Sequence, residues 1–235
     1  MTATSTQSDE GQRLLEFFGH STTGCFVEVG AGNPAQGSIT VPLEAAGWAG
    51  VIVEPRPDVA AFLVTARSAR IVAAACVAAD VAGQPLPLRG ANPLSSIDVG
   101  RSSATMPSNY VIMVPTRTLD DVLREAEARE PLDLLTLDTG GRELDALLGL
   151  DVARWQPRLV VIADPVADLQ RHTFLKESGY RLIRRAAGCG WYVPASSAAI
   201  SERWPIVRDY YLLLPFRMTW HALRRLNARV MATAD

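Results

Sequence analysis

Residues 25–37 read CFVEVGAGNPAQG. Cys25–Val29 is apolar except for Glu28 and has the length of a buried strand, a Gly/Pro/Asn loop follows, and a helix is expected through about Ala46. Glycines at such a strand–helix turn let the backbone approach a ligand closely, and the helix after it offers free N–H groups. A turn of this kind can also serve chain reversal alone. A dinucleotide fingerprint requires G-x-G-x-x-G, which Gly30, Gly32 and Gly37 do not form, so the spacing speaks against a nicotinamide-linked oxidoreductase. Glu28, directly before the turn, suits a ligand with a cationic end.

Outward from this unit the chain alternates apolar runs with amphipathic segments. Strands are expected at Gly50–Val53, Ile71–Ala75, Tyr110–Val114, Leu132–Leu137 and Arg158–Ile162. Helices are expected at Pro57–Arg67, Thr118–Ala128, Glu143–Leu150 and Val166–Ser178. Thr118-Leu119-Asp120-Asp121 has the form of a capping box. Residues 80–109, rich in Gly, Pro, Ser and Asn, read as a long loop, with Arg101 in a stretch that is either a lid or plain solvated chain. Tyr180–Arg184 and Trp191–Val193 flank the turn Ala187–Gly190 and must run back beside one another. Strand–helix alternation predicts an α/β protein, doubly wound around a mostly parallel sheet, with an antiparallel strand from the closing hairpin.

The composition bounds the function. Of 235 residues, 48% are hydrophobic and 20% charged, enough for a sizeable core and too apolar for a disordered chain. Lys and Arg total 23 against 25 Asp and Glu, a net charge of −2, which excludes a general affinity for nucleic acid. No apolar run approaches the roughly 20 residues that span a bilayer. The first residues are polar and carry acids, unlike a signal or transit peptide. Cys25, Cys76 and Cys189 have no zinc spacing and read as free thiols of a reducing compartment, so a cytoplasmic protein is expected.

Two further places carry chemistry. Glu54 ends the second strand in VIVEP, where an acid can accept two hydrogen bonds from a ribose diol, although a solvated strand-end acid has the same sequence. Asp138 ends the strand Leu132–Leu137 and is followed by Thr139, Gly140 and Gly141. It either faces a reacting group across the sheet or, with Thr139, caps the helix that starts near Glu143.

In series these motifs resemble the FkbM family of S-adenosylmethionine-dependent methyltransferases. The likeness covers residues 25 to about 193: FVEVGAGNPAQGSIT, GWAGVIVEPRP, VPTRTLDDVL, PLDLLTLDTGGRELDALLGLD, RWQPRLVVI and GYRLIRR with GWYVP, in the family's order. The resemblance implies a Rossmann-like class I methyltransferase fold with a seven-stranded sheet. It also implies S-adenosyl-L-methionine as cofactor and methyl transfer to a hydroxyl of a sugar, glycolipid or polyketide-type molecule. Donor-binding positions are then Glu28, Gly30, Ala31, Gly32, Gly37, Ser38 and Glu54, with Cys76 and Val77 bordering the adenine. Cys76 reads as a core residue rather than a reactive thiol. Asp138 is the first candidate for acceptor base or orienter and Asp164 the second, and no metal site is expected. One departure stands out: the family reads Asp-x-Glu-Gly-x-Glu after this strand, and Gly140 replaces the middle Glu. Near the next strand end Ala163 precedes Asp164 where members often carry Glu. An alternative is therefore a non-catalytic or altered nucleoside-binding protein acting through a partner.

The expected organisation is a flexible or helical segment 1–20, a methyltransferase domain 21–200 and a basic tail 201–235. In the tail Phe216, Trp220, Leu223, Leu226 and Val230 form an apolar helical stripe beside Arg217, Arg224 and Arg225. That stripe fits packing on its own domain, a homo-oligomer contact or an anionic membrane surface. His172 and His221 read as members of solvated faces.

Overall fold

The computed structural model describes residues 3–32, 38–89, 111–163, 169–186 and 188–202. Gly37, Asp164, the Arg101 stretch and the tail from 203 onward lie outside the described residues. The chain divides into two compact units between Arg158 and Leu159.

The first unit opens with helix α1 (Ala3–Phe17), which packs on α2 (Val41–Ala45). Between these helices runs β1 (Cys25–Val29), followed by β2 (Ala49–Val53), α3 (Pro57–Ala66) and β3 (Arg70–Val72). Then come β4 (Ala75–Cys76), β5 (Leu86–Arg89), β6 (Val111–Val114), β7 (Thr116–Arg117) and α4 (Leu119–Glu125). The unit ends with β8 (Leu134–Leu137), α5 (Glu143–Leu148) and α6 (Val152–Trp155).

Four strands form a parallel sheet. β1 lies between β8 and β2, with Val27 opposite both Leu135 and Val51, and β3 continues outward with Val72 opposite Val53. Every residue of β1 and β8 is buried, as expected for parallel strands covered on both faces. Phe26, Ile52, Leu134 and Leu135 are fully enclosed in the core. α3 contributes Val59, Ala60 and Leu63, and α4 contributes Leu119, Val122 and Leu123, the helical spacing of one apolar face. Thr118 caps α4: its Oγ1 accepts the Asp121 N–H at 3.0 Å and donates to the Asp121 carboxylate at 2.7 Å. Chain order runs β1, β2, β3 to one side, while β8 joins β1 on the other. That reversal leaves a crevice at the carboxyl ends of β1 and β8.

Two strand expectations need correction. The run expected as Ile71–Ala75 breaks after Val72. Ala73 and Ala74 have little to hold on a pleated surface, and the chain turns there to let β4 pair with β7 in a separate short ladder. The strand at Val111–Val114 forms as expected, but it belongs to a two-stranded antiparallel ribbon with Leu86–Arg89 rather than to the parallel sheet. Leu86–Arg89 was hidden in a segment read as loop because Pro87 removes a ladder donor, which only an edge ribbon tolerates. α6 is a single turn that was not expected, capped by Asp151, which accepts the Arg154 N–H at 3.1 Å.

The second unit contains β9 (Leu159–Ala163), α7 (Gln170–Glu177), β10 (Tyr180–Ala186) and β11 (Cys189–Pro194). β10 and β11 form the expected antiparallel hairpin, Leu182 opposite Tyr192, and β11 pairs antiparallel with β9. His172 departs from its expected solvated face: it is half-buried, with Nδ1 3.1 Å from the hydroxyl of buried Tyr192. Among the described residues no helix is long and apolar enough to cross a membrane.

Candidate active site

The crevice is stitched one residue beyond the strand ends. The Gly30 N–H donates to the Val53 carbonyl at 2.8 Å, and the Asp138 N–H donates to the Val29 carbonyl at 2.9 Å. Gly30, Glu54 and Asp138 therefore leave adjacent strands side by side. Gly30 has φ +84°, and a Cβ there would lie 2.0 Å from the Asp138 carbonyl oxygen. Only glycine fits this contact.

Glu54 is almost fully buried at the end of β2. Its Oε2 accepts the N–H of Gly32 at 3.0 Å and its Oε1 accepts the N–H of Arg56 at 3.0 Å. The first acid of the second loop thus holds the glycine loop itself. Burial pushes its carboxyl above the ordinary range, against the opposing pull of those two N–H groups and the Arg56 charge. Each carboxylate oxygen has a second lone pair, so the group has capacity for two further donors. Ala31 is half-buried and Gly32 exposed, as a loop open to a ligand requires.

Glu28 points into the protein. Its carboxylate accepts from the Ser38 hydroxyl at 2.6 Å and from the Thr40 hydroxyl at 2.6 Å, with Arg67 Nη1 3.6 Å away. Ser38 is thereby placed at this internal carboxylate.

Asp138 lies on the exposed lip of the same crevice. Neither it nor Thr139 caps α5; the N-cap is Arg142, which makes no side-chain cap bond. Instead the buried Glu143 carboxylate folds back and accepts the N–H groups of Thr139 at 3.0 Å and Gly141 at 2.9 Å, fixing the loop. Desolvation first, and then the neighbouring Glu143 charge, push the Asp138 carboxyl up, while the Gly140 N–H works the other way. The lip is open, so solvent damps the effect. Gly140 has φ +69°, and a Cβ there would meet no atom within 4 Å, so the place of the family's middle Glu is open space over a left-handed backbone.

Cys76 and Val77 are buried, and the Val77 N–H donates to the Arg117 carbonyl at 3.0 Å. Burial lifts the Cys76 thiol to about 12, and burial also raises that of Cys25, which leaves half-buried Cys189 as the most accessible thiol. Iodoacetamide at mildly alkaline pH should therefore modify native protein at Cys189, read by peptide mass. Equal labelling of Cys76 would show that β4 opens readily.

Sequence reasoning singled out Glu28, Glu54, Gly30 and Asp138; the fold sets Gly30, Glu54 and Asp138 side by side at one sheet edge, while the Glu28 carboxylate turns into the protein. It missed Thr40 and Arg67, which meet Glu28, and Glu44, the second carboxylate on Arg67, and no local spacing signals that cluster. A parallel sheet with a glycine turn and strand-end acids at its switch point defines an α/β protein of the open-sheet class, in which ligands bind outside the carboxyl ends of the strands. The methyltransferase FkbM domain matches residues 28–182, and the chain belongs to that methyltransferase family. A search of curated proteins gives no significant match.

Proposed function

We propose that the chain transfers the methyl group of S-adenosyl-L-methionine to a hydroxyl of a sugar, glycolipid or polyketide-type small molecule, by in-line displacement. The supporting observation is the Glu54 carboxylate, buried at the end of β2, tied to the Gly32 N–H and with acceptor capacity for a diol. The four parallel strands and the antiparallel hairpin suit a Rossmann-like class I methyltransferase with seven strands, spanning a domain of residues 21–200. The chemistry supplied by the bound donor is an electrophilic methyl group on a sulfonium. Glu54 accepts the ribose hydroxyls, and Gly30, Ala31, Gly32 and Gly37 let the backbone lie against the ligand. Glu28 and Ser38 hold the loop's exit, and the backbone at Cys76 and Val77 borders the adenine. Asp138, with Asp164 as second candidate, orients the acceptor hydroxyl and takes its proton. Much of the rate comes from holding that oxygen about 3–3.5 Å from the methyl. The protein works in the cytoplasm, has no nucleic-acid partner, and uses its basic tail against its own domain, a second copy or a membrane surface.

Calorimetric titration with S-adenosylhomocysteine tests the reading, and no binding would sink it. Binding without transfer to any hydroxylated glycan or polyketide would favour a nucleoside-binding protein acting through a partner, the outcome that Gly140 suggests. Glu54→Ala should weaken donor binding about thirtyfold, the worth of one or two charge-assisted hydrogen bonds. Ribose hydroxyls donating to Glu54 stabilise its ionised form, so its raised pKa falls in the complex and binding releases a proton. Affinity should therefore rise with pH through the titration of free Glu54 and then level off. In Glu54→Gln that pH dependence should vanish; its persistence would reassign the ribose acceptor.

A further inference from the structure

Arg67 follows α3, and nothing in its local sequence distinguishes it from a solvated helix-end charge. Its side chain is nevertheless only 7% exposed, between two carboxylates exposed to 8 and 10%, Glu28 on β1 and Glu44 on α2. The groups form a directed chain. Arg67 Nη2 donates to Thr40 Oγ1 at 2.8 Å, and Thr40 Oγ1 donates to Glu28 at 2.6 Å. The Ser38 hydroxyl donates to the other oxygen of Glu28, and Ser38 Oγ accepts the Thr40 N–H at 3.1 Å. Arg67 Nε donates to Glu44, whose other oxygen accepts from the Ser68 hydroxyl at 2.6 Å and the Ala69 N–H at 2.9 Å. Burial works to raise the Glu44 carboxyl, but Ser68 and Arg67 outweigh it and hold the group low, so it stays charged.

One guanidinium therefore offsets two carboxylates, buried Glu28 and half-buried Glu44, and the hydroxyls of Ser38 and Thr40 each give one proton and accept one. The residues so tied include Ser38, one of the positions read as donor-binding, together with Thr40 beside it. A buried charge that loses its counter-ion is strongly destabilising where it sits, and here that place is the loop's anchor.

We propose that Arg67 is a positioning residue for the donor loop: through Thr40, and by offsetting Glu28 and Glu44, it fixes Ser38–Thr40 against the sheet, and Glu28 serves this anchor rather than the donor's cationic end. The inference rests on the reading of Gly30–Gly32 and Ser38 as the donor's seat.

The test is calorimetry with S-adenosylhomocysteine on the full chain, paired with donor KM and kcat. Arg67→Met should weaken binding about tenfold, the scale of coupling within one ion-pair network, and raise KM with kcat little changed. Arg67→Lys should recover part of the loss. Glu28→Gln added to Arg67→Met should also recover part, because the stranded charge is gone. Glu28→Gln alone should weaken binding less than Arg67→Met, because the amide keeps one oxygen to accept from Ser38 and Thr40; a loss larger than that of Arg67→Met and not shared by Ser38→Ala would overturn the inference by making Glu28 a direct ligand. Wild-type binding with Arg67→Met unchanged, or a fall in kcat at constant KM, would also overturn it. No binding by wild type would instead reject the donor reading itself. If Arg67→Met fails to fold, Ser38→Ala removes one link without stranding a charge, and unchanged affinity there overturns the proposal.

Discussion

On the proposed reading, Asp138→Asn should lower methyl transfer by about a hundredfold or more, while the affinity for S-adenosylhomocysteine should stay near that of the wild type. The magnitude is that of a positioned general base. The expectation of intact binding comes from the geometry. Asp138 keeps its place through its backbone N–H to Val29, and the loop after it is fixed by Glu143, so the amide enters without disturbing the fold. Neither contact uses the Asp138 carboxylate.

The pH profile adds a second reading. Only the ionised carboxylate can take a proton, and desolvation and Glu143 raise the pKa of Asp138. Activity should rise with pH through that raised titration, above the ordinary aspartate range, and the residual activity of Asp138→Asn should lack that limb. Loss of donor affinity in the variant would make Asp138 a binding residue. Unchanged turnover would move the base to another group, with Asp164 next to be replaced.

The parts of the fold legible in the sequence are those where one physical rule acts alone. β1, β2 and β8 are short apolar runs because parallel strands are buried on both faces, and Thr118–Asp121 announces its helix by capping chemistry. The unreadable parts are decided by pairing partners remote in sequence. The alanines after Val72 carry no sign that Ala75–Cys76 will join Thr116–Arg117, and Pro87 disguises a ribbon strand as loop.

The site divides the same way. Glu54 and Gly30 could be found because a strand end and a glycine turn are local features. Whether Asp138 caps a helix was undecidable locally; Glu143, folding back from the helix it begins, takes over the loop's N–H groups and leaves the Asp138 carboxyl on the lip. Arg67 was invisible because its two acids lie on a different strand and a different helix.

Gly30 shows how much of the site depends on backbone contact. Gly30→Ala places a methyl group 2.0 Å from the Asp138 carbonyl oxygen and 2.8 Å from its carbon, at φ +84°. No rotamer relieves a clash with backbone, so β1 and β8 must part at their ends, weakening the bonds of Asp138 to Val29 and Gly30 to Val53. Left-handed strain contributes about 1–2 kcal/mol and the forced separation about 1–3 more. For a chain of this size that lowers the unfolding midpoint by roughly 10 °C. Gly32→Ala is the matched control, with φ +60° but nothing within 4 Å of the added carbon. It carries the strain without the collision and should lose only a few degrees. Thermal unfolding of the two variants compares them directly. Equal losses would mean that conformational strain alone demands glycine in this turn, and that the crevice tolerates a wider gap between Gly30 and Asp138 than its geometry implies.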